Sequence, residues 1–452
     1  MRPRVLLYTL APSGGDFFPI SLGYIAASLQ AHDIEAVVAE VDQLTKRTGQ
    51  EVTNFVITYK PLVVGFSVYQ ANIKLALQLA RLVKTIDPGI VVVFGGPQAG
   101  FMPKEALRQM REVDVIMRGE AEIVWPMLVR CIIAKTDPAR IKGIVFMRRD
   151  TIVETLPAPP VGDLDCLPSP YANNVFDLRQ HKVAVMLTSR GCCFNCAFCY
   201  TPRAFGRRIR VHSHQRVLAD MSICVKARIR KFFFADPSFT FDKKRVASIM
   251  RGIIKRRWKV EIWCETRTDL IGRPLLTLMA KAGVRYIAYG LESVDPRVNK
   301  ALRKPIILDQ FEKIIKLTRE VGIEPEVFTL YGLPGQNTES CFKTLDFLKR
   351  LEIKIVGNSA GQQLNLFFGT DITDEPFRFG IRLLKKRRPL YLSPGTDFET
   401  EHMKRRDIAT VAKAYKAMHP RNMRKGACIS LPQFLGDGKP ANLSFAPKQP
   451  PK

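Results

Sequence analysis

Two successive series of short apolar runs alternating with helical patterns fill most of this chain, and a proline-rich stretch separates them. That rhythm constrains the fold more than any other feature, because buried parallel strands read as apolar segments and need helical crossovers between them. In the first series the expected strands are Val5 to Leu10, Ala36 to Val41, Leu62 to Val68, Ile90 to Phe94 and Val113 to Met117. Helices fit Ile20 to Gln30 and Ile73 to Ile86, the second stopped by Asp87-Pro88-Gly89. In the second series strands fit Ala184 to Thr188, Lys231 to Phe234, Val260 to Cys264, Tyr286 to Tyr289, Glu326 to Leu330 and Ile353 to Val356. The intervening helices fit Gln215 to Ala227, Lys244 to Arg257, Pro274 to Ala282, Leu308 to Val321 and Glu339 to Leu351.

The expected fold is α/β, beginning with a doubly wound, Rossmann-like domain over 1–135. A connector over 136–182 follows, with a short β element and the proline-rich Pro157-Ala-Pro-Pro160 and Leu167-Pro-Ser-Pro170. A partial (β/α)6 TIM-like barrel spans 183–372, and a small C-terminal region spans 373–452, its tail expected to be disordered. At 452 residues and 46% hydrophobic content, the chain can fill two or three cores. In both architectures ligands gather at the carboxyl ends of the strands. The first rim would be built from Pro12 to Phe18, Ser67 to Gln70, Gly95-Gly96-Pro97-Gln98 and Arg118-Gly119-Glu120-Ala121-Glu122. Glycines there let backbone approach a ligand closely, although glycine turns also end many strands for steric reasons alone.

No apolar run is long enough to span a membrane, and Val5 to Leu10 lacks the cleavage site of a signal peptide, so a cytoplasmic protein is expected. The net charge of +28 suits an anionic substrate, nucleic acid, an acidic partner or a membrane surface. Basic residues are spread along the whole chain, and a solvated basic surface explains them equally well.

Ten cysteines are present, and four of them fall between Cys192 and Cys199. The others (Cys131, Cys166, Cys224, Cys264, Cys341, Cys428) stand singly in apolar segments and read mostly as small core residues. Clustering of this kind points to metal or redox chemistry in a reducing compartment rather than to a disulfide framework. Ser189-Arg-Gly-Cys192-Cys-Phe-Asn-Cys196-Ala-Phe-Cys199-Tyr200 follows the first strand of the second series. Three such thiolates can wrap one corner of a cubane and leave the fourth iron open. Cys193 is read as a non-ligand, because adjacent cysteines are too cramped to bind neighbouring irons. A structural zinc site would want four ligands, commonly as two separated pairs, and no histidine stands at a suitable spacing.

Cys-x-x-x-Cys-x-x-Cys after a barrel strand resembles the radical S-adenosylmethionine (SAM) signature. The resemblance implies a 4Fe-4S cluster on Cys192, Cys196 and Cys199, with SAM chelating the open iron and yielding a 5'-deoxyadenosyl radical. It also implies SAM contacts from Phe198 near the adenine and from Asp236, at a position where related enzymes carry a different acidic segment. Glu265 and Arg267 in Trp263-Cys-Glu-Thr-Arg267 would meet the SAM carboxylate or the substrate, and Glu292 matches the fourth-strand pattern. Taken singly, these motifs also fit ordinary strand-to-helix turns.

A doubly wound domain before such a barrel resembles the cobalamin-binding radical SAM class, the class B methyltransferase-like enzymes, over roughly residues 1–370. Pro19-Ile-Ser-Leu-Gly-Tyr-Ile-Ala, Gly95-Gly-Pro97 and Arg118-Gly-Glu120-Ala-Glu122 carry the match. It implies cobalamin contacts from Ser67, Gly95, Gly96, Gly119 and Glu120; without an Asp-x-His-x-x-Gly motif, no histidine of this domain would bind cobalt from below. The implied activity is methylation of an unactivated carbon or phosphorus centre in a small-molecule or peptide substrate. An external electron donor such as flavodoxin or ferredoxin is implied with it. The alternatives are a cobalamin-dependent oxidation or cyclisation without methyl transfer, and a non-catalytic iron-sulfur redox or nucleic-acid-binding protein. A methylthiotransferase would need three further cysteines in the first domain, where Cys131 stands alone before residue 160.

Overall fold

The computed structural model describes residues 2–10, 19–353, 360–385 and 388–417. The first sheet contains β1 (Arg4–Thr9), β2 (Glu35–Glu40), β3 (Val63–Ser67), β4 (Val91–Gly95), β5 (Val115–Met117), β6 (Ile144–Arg148) and β7 (Thr151–Glu154). Their order is β2-β1-β3-β4-β5-β6-β7, with β1 to β5 parallel and the β6-β7 hairpin antiparallel. The strand order reverses direction between β1 and β3, which opens a crevice at their carboxyl ends. Side-chain alternation along β1 feeds two cores. Leu6 and Tyr8 pack with Val52 and Ile73 of the helices Lys46–Tyr59 and Ile73–Ile86. Val5 and Leu7 pack with Leu22 and Leu128 of Ile20–Gln30 and Val124–Ala134.

The hairpin expected inside the connector belongs to this sheet. β6 pairs with β5 and buries Val145 and Phe146, one on each face. The sheet therefore runs to Glu154, because β5 would otherwise be left as an unpaired edge.

The second sheet is made of β8 (Val183–Met186), β11 (Lys231–Phe234), β12 (Glu261–Thr266), β13 (Val284–Glu292), β14 (Glu324–Tyr331) and β15 (Ala360–Gln363). Between β8 and β11 a separate two-residue ladder pairs β9 (Ser189–Arg190) with β10 (Arg210–Val211). The six long strands are all parallel, in the order β15-β14-β13-β12-β11-β8, and form an open half-barrel. Beyond Ile353, the strand expected at 353–356 lies outside the described residues, as do the rim stretch 12–18 and the tail. The sixth strand described is Ala360–Gln363.

The C-terminal region does more than cap the barrel. Ile408, Val411 and Tyr415 of the helix Arg405–Ala417 enter the barrel core, where the Tyr415 and Tyr331 rings lie 5.1 Å apart. Leu366 and Tyr391 bridge to the first sheet. Gln70 Nε2 donates to the Leu366 carbonyl at 3.3 Å, and Gln98 Nε2 to the Tyr391 carbonyl at 2.7 Å. The carboxyl ends of β3 and β4 are thus tied to these two residues.

Candidate active site

The cysteine loop runs from β9 to β10 and is fastened at several points. Gly191 has φ +93°, and a side chain there would stand 2.3 Å from the Arg208 carbonyl, so only glycine lets the two strands close. Cys192 N donates to the Gly206 carbonyl at 3.2 Å, and Ala197 N to the Leu302 carbonyl at 3.0 Å. From the other side, Ile372 N donates to the Ala197 carbonyl at 3.2 Å, and Arg203 pairs with Asp371 and Asp374.

Nine cysteines are described, all of them free thiols. Burial pushes the Cys196 thiol up to about 11, against the pull of the nearby Lys304 ammonium. Burial also raises Cys192, and Arg267 opposes the shift. Cations beside half-buried thiols fit an anionic thiolate-bound cluster, because they stabilise the charge that burial disfavours. Among the described residues, no three His, Cys, Asp or Glu side chains converge as ligands of a single metal ion. A zinc cage needs all its sulfurs about 2.3 Å from one point, whereas a cubane takes each thiolate on a different iron and asks for no such convergence.

Around the cysteines the structure gathers several of the residues named from sequence. The Arg267 guanidinium lies 4.0 Å from the centroid of the Phe194 ring and pairs with Asp269 at 2.8 Å. Glu292 has φ +61° and accepts from Lys304 Nζ at 2.6 Å. Lys304 Nζ also lies 5.9 Å from the centroid of Phe198, which packs beside Val298 and Leu302. Glu265, half-buried at the end of β12, is pushed up to about 7 by burial, with Lys304 opposing and Asp236, Glu326 and Glu292 adding to the rise.

Asp236, close enough to raise Glu265, is bound to the strand end before the cysteine loop. It is 1% exposed, and its carboxylate accepts from Thr188 Oγ1 at 2.9 Å and from Ser189 Oγ. Both oxygens are therefore engaged by the strand that launches the cysteine loop.

On the first sheet, Gly95 and Gly119 leave open space where a side chain would stand. At Gly96, with φ +92°, a side chain would meet the Val68 carbonyl at 2.9 Å. Ser67 ends β3, two residues before Tyr69. Tyr69 exposes 45% of its surface, yet burial pushes its phenol up. Burial likewise raises Tyr200, and Tyr69, Cys199 and Glu265 add to that shift, so Tyr69 of the first domain lies near Tyr200 of the barrel. Open space above Gly95 and Gly119 fits the close approach of a flat corrinoid to backbone.

Glu120 points elsewhere. Its carboxylate is buried against Arg190, Arg210 and the Val161 amide of the connector and barrel. Sequence reasoning missed Lys304, and it names the stretches that hold Tyr69 and Arg190 without giving those residues, or Arg210, a role. Lys304 lies in a turn after a short helix, where no periodicity marks it, and the two arginines were hidden among many basic residues.

Residues 7–129 match the B12 binding domain, and residues 186–348 match the radical SAM superfamily. An uncharacterized methyltransferase of Pyrococcus horikoshii is 26% identical over 342 residues, 74% of each chain. The cytidylyl-2-hydroxyethylphosphonate methyltransferase of Streptomyces wedmorensis is 24% identical over 392 residues, 73% of each chain. The anaerobic magnesium-protoporphyrin IX monomethyl ester cyclase of Rubrivivax gelatinosus is 28% identical over 347 residues, 74% of this chain and 62% of the cyclase. Among solved structures, the radical SAM methyltransferase TsrM from Kitasatospora setae, with cobalamin and a [4Fe-4S] cluster bound, superposes with TM-score 0.75. That superposition covers 93% of this chain and 90% of TsrM at 17% identity, and supports the fold. With both domain matches falling on the two sheets and the cysteines at the mouth of the second, the chain belongs to the cobalamin-binding radical SAM family.

Proposed function

We propose that this protein is a cobalamin-dependent radical SAM methyltransferase acting on an unactivated carbon or phosphorus centre of a small molecule or peptide. The observation that carries the reading is the junction where Tyr200, next to Cys199, meets the Phe367 ring at 6.4 Å while the adjoining Leu366 carbonyl accepts from Gln70 Nε2, just after β3, at 3.3 Å. Methyl transfer needs the donor and the radical source to reach one substrate atom, and a first-domain rim tied to the segment beside Tyr200 supports that proximity. When bound, the cluster with SAM supplies the hydrogen-abstracting radical and the corrinoid supplies the methyl group.

The chain's own residues do the rest. Cys192, Cys196 and Cys199 would hold the cluster, and Lys304 and Arg267 would stabilise its negative charge. Gly95 and Gly119 would admit the corrinoid, with Gly96 and Ser67 as neighbouring contacts at the ends of β4 and β3. Phe198, Glu265, Arg267 and Glu292 would line the SAM side, and Asp236 would brace the first strand end. Because the carboxyl of Glu265 titrates near neutrality, it can receive either a cationic amine or a hydrogen-bond acceptor. The methyltransferases among the relatives support this reading, and the cyclases favour radical oxidation without methyl transfer as the second reading.

An external low-potential donor such as flavodoxin or ferredoxin would supply the electron. Nine described cysteines outside any disulfide agree with a reducing, cytoplasmic setting. Among the described residues no helix is long and apolar enough to cross a membrane.

The test is anaerobic reconstitution with iron, sulfide and cobalamin, followed by absorption spectra, 5'-deoxyadenosine assay and product mass. Methylation adds one CH2 to the substrate. Cleavage of SAM by protein that binds no corrinoid would overturn the proposal.

A further inference from the structure

The cysteine loop leaves and re-enters the barrel through a ladder of only two residues on each side, in which Arg190 stands directly opposite Arg210. Like charges opposed across an antiparallel pair repel, and so short a ladder has little stability of its own. Both arginines are buried, at 3% and 7% exposure, so salt and water screen the repulsion poorly.

Their counter-charges come from the other domain. Glu120, just after β5, accepts from Arg190 Nη1 at 3.2 Å, from Arg210 Nη1 at 2.9 Å and from the Val161 amide at 3.1 Å. Its second oxygen accepts from Arg210 Nη2, and Glu122 takes the remaining Arg190 Nη2. Two carboxylates thus neutralise two guanidiniums in a buried quartet at the foot of the loop. The Arg190 guanidinium also lies 5.4 Å from the centroid of the Tyr24 ring, a further contact with the first domain.

We propose that Glu120 is a positioning residue for the iron-sulfur cluster: by neutralising Arg190 and Arg210 it holds the foot of the cysteine loop shut. The corrinoid domain thereby governs how firmly the cluster is retained. This rests on Cys192, Cys196 and Cys199 being the cluster ligands. A corrinoid contact by Glu120 is the competing role, and both of its carboxylate oxygens are already engaged by Arg190, Arg210 and the Val161 amide.

The test uses the full chain, reconstituted anaerobically with cluster and cobalamin. Glu120→Gln keeps the shape and removes the charge, leaving two buried arginines to one carboxylate. Iron release to a chelator should quicken by about tenfold or more, as expected when a buried charge loses its partner. The electron paramagnetic resonance signal of the reduced cluster should change, while cobalamin retention stays within about twofold because both Glu120 oxygens are taken by Arg190, Arg210 and the Val161 amide. The double variant Glu120→Gln/Arg210→Gln restores neutrality and should recover iron retention to within about threefold of wild type, since the two sites are coupled. Loss of cobalamin with iron retained, or a double variant no better than the single one, overturns the proposal. Wild-type protein that takes up no iron sinks the cysteine assignment and this proposal together. Iron that Glu120→Gln keeps as firmly as wild type sinks this proposal alone.

Discussion

Lys304 Nζ donates to Glu292 Oε1 at 2.6 Å, both side chains are less than a tenth exposed, and the ammonium also acts on the Cys196 thiol. One cation therefore satisfies a buried carboxylate held at positive φ and offsets the negative charge of the cysteine site. Glu292 is one of ten described non-glycine residues at positive φ, and at φ +61° it carries a backbone cost that its surroundings must offset.

Lys304→Met should cost about 3–5 kcal/mol in chemical denaturation, because it strands the Glu292 carboxylate in a site with little water. Glu292→Gln/Lys304→Met should lose markedly less, since no charge is then left unpaired. Equal losses in the single and double variants would show that the pair contributes through packing and not through charge.

His212 makes a second prediction, with a definite sign. The ring is 2% exposed, its Nδ1 lies 2.9 Å from Asp165 Oδ1, and its Nε2 lies 3.1 Å from the Tyr24 hydroxyl. With Nδ1–H donating to Asp165, Nε2 accepts from Tyr24, so the neutral ring is fully used. Burial lowers the imidazole from 6.5 to about 4, with Arg216 and Arg190 adding and Asp165 opposing. A depressed folded value means stability is fully present above 6.5 and is lost as pH falls towards 4. At about 1.4 kcal/mol per pH unit the loss reaches about 3 kcal/mol. Glu265, raised to about 7, works in the opposite direction, its stabilising contribution growing as pH falls from 7. Comparing wild type with His212→Gln in urea at pH 7 and pH 5 isolates the histidine: the variant should show the shallower fall. Parallel pH profiles would refute the assignment.

The helices and strands were legible where burial is one-sided and periodic. Ile73 to Ile86 shows this spacing and is observed at those bounds, while Ile20 to Gln30, also observed as expected, is buried nearly all round. The cysteine spacing likewise declared itself, because cluster chemistry requires those residues close together in sequence. Contacts between domains were not legible. Arg190, Arg210 and Lys304 look like any other basic residue in a chain of charge +28, and only the fold brings Glu120 and Glu292 to them. The hairpin Ile144–Arg148 and Thr151–Glu154 was seen as strand but placed in the connector. Which sheet a strand joins depends on an edge far away in sequence, here β5.

Gly95 and Gly96 separate steric function from steric necessity in adjacent positions. A side chain at Gly95 meets nothing within 4 Å, while one at Gly96 meets the Val68 carbonyl at 2.9 Å and sits at φ +92°. Gly95→Val should therefore leave the apoprotein's stability within about 0.5 kcal/mol of wild type, as for substitutions that disturb no packing. Gly96→Ala should cost about 1–3 kcal/mol through backbone strain. If the open space above Gly95 is where the corrinoid approaches, Gly95→Val should still weaken cobalamin binding by at least about tenfold, the equivalent of about 1.4 kcal/mol of lost contact. Thermal denaturation of the apoproteins and titration with cobalamin, followed by absorption, measure the two effects separately. A Gly95→Val protein that binds cobalamin as tightly as wild type would move the corrinoid away from β4, and with it the reason for the two adjacent glycines.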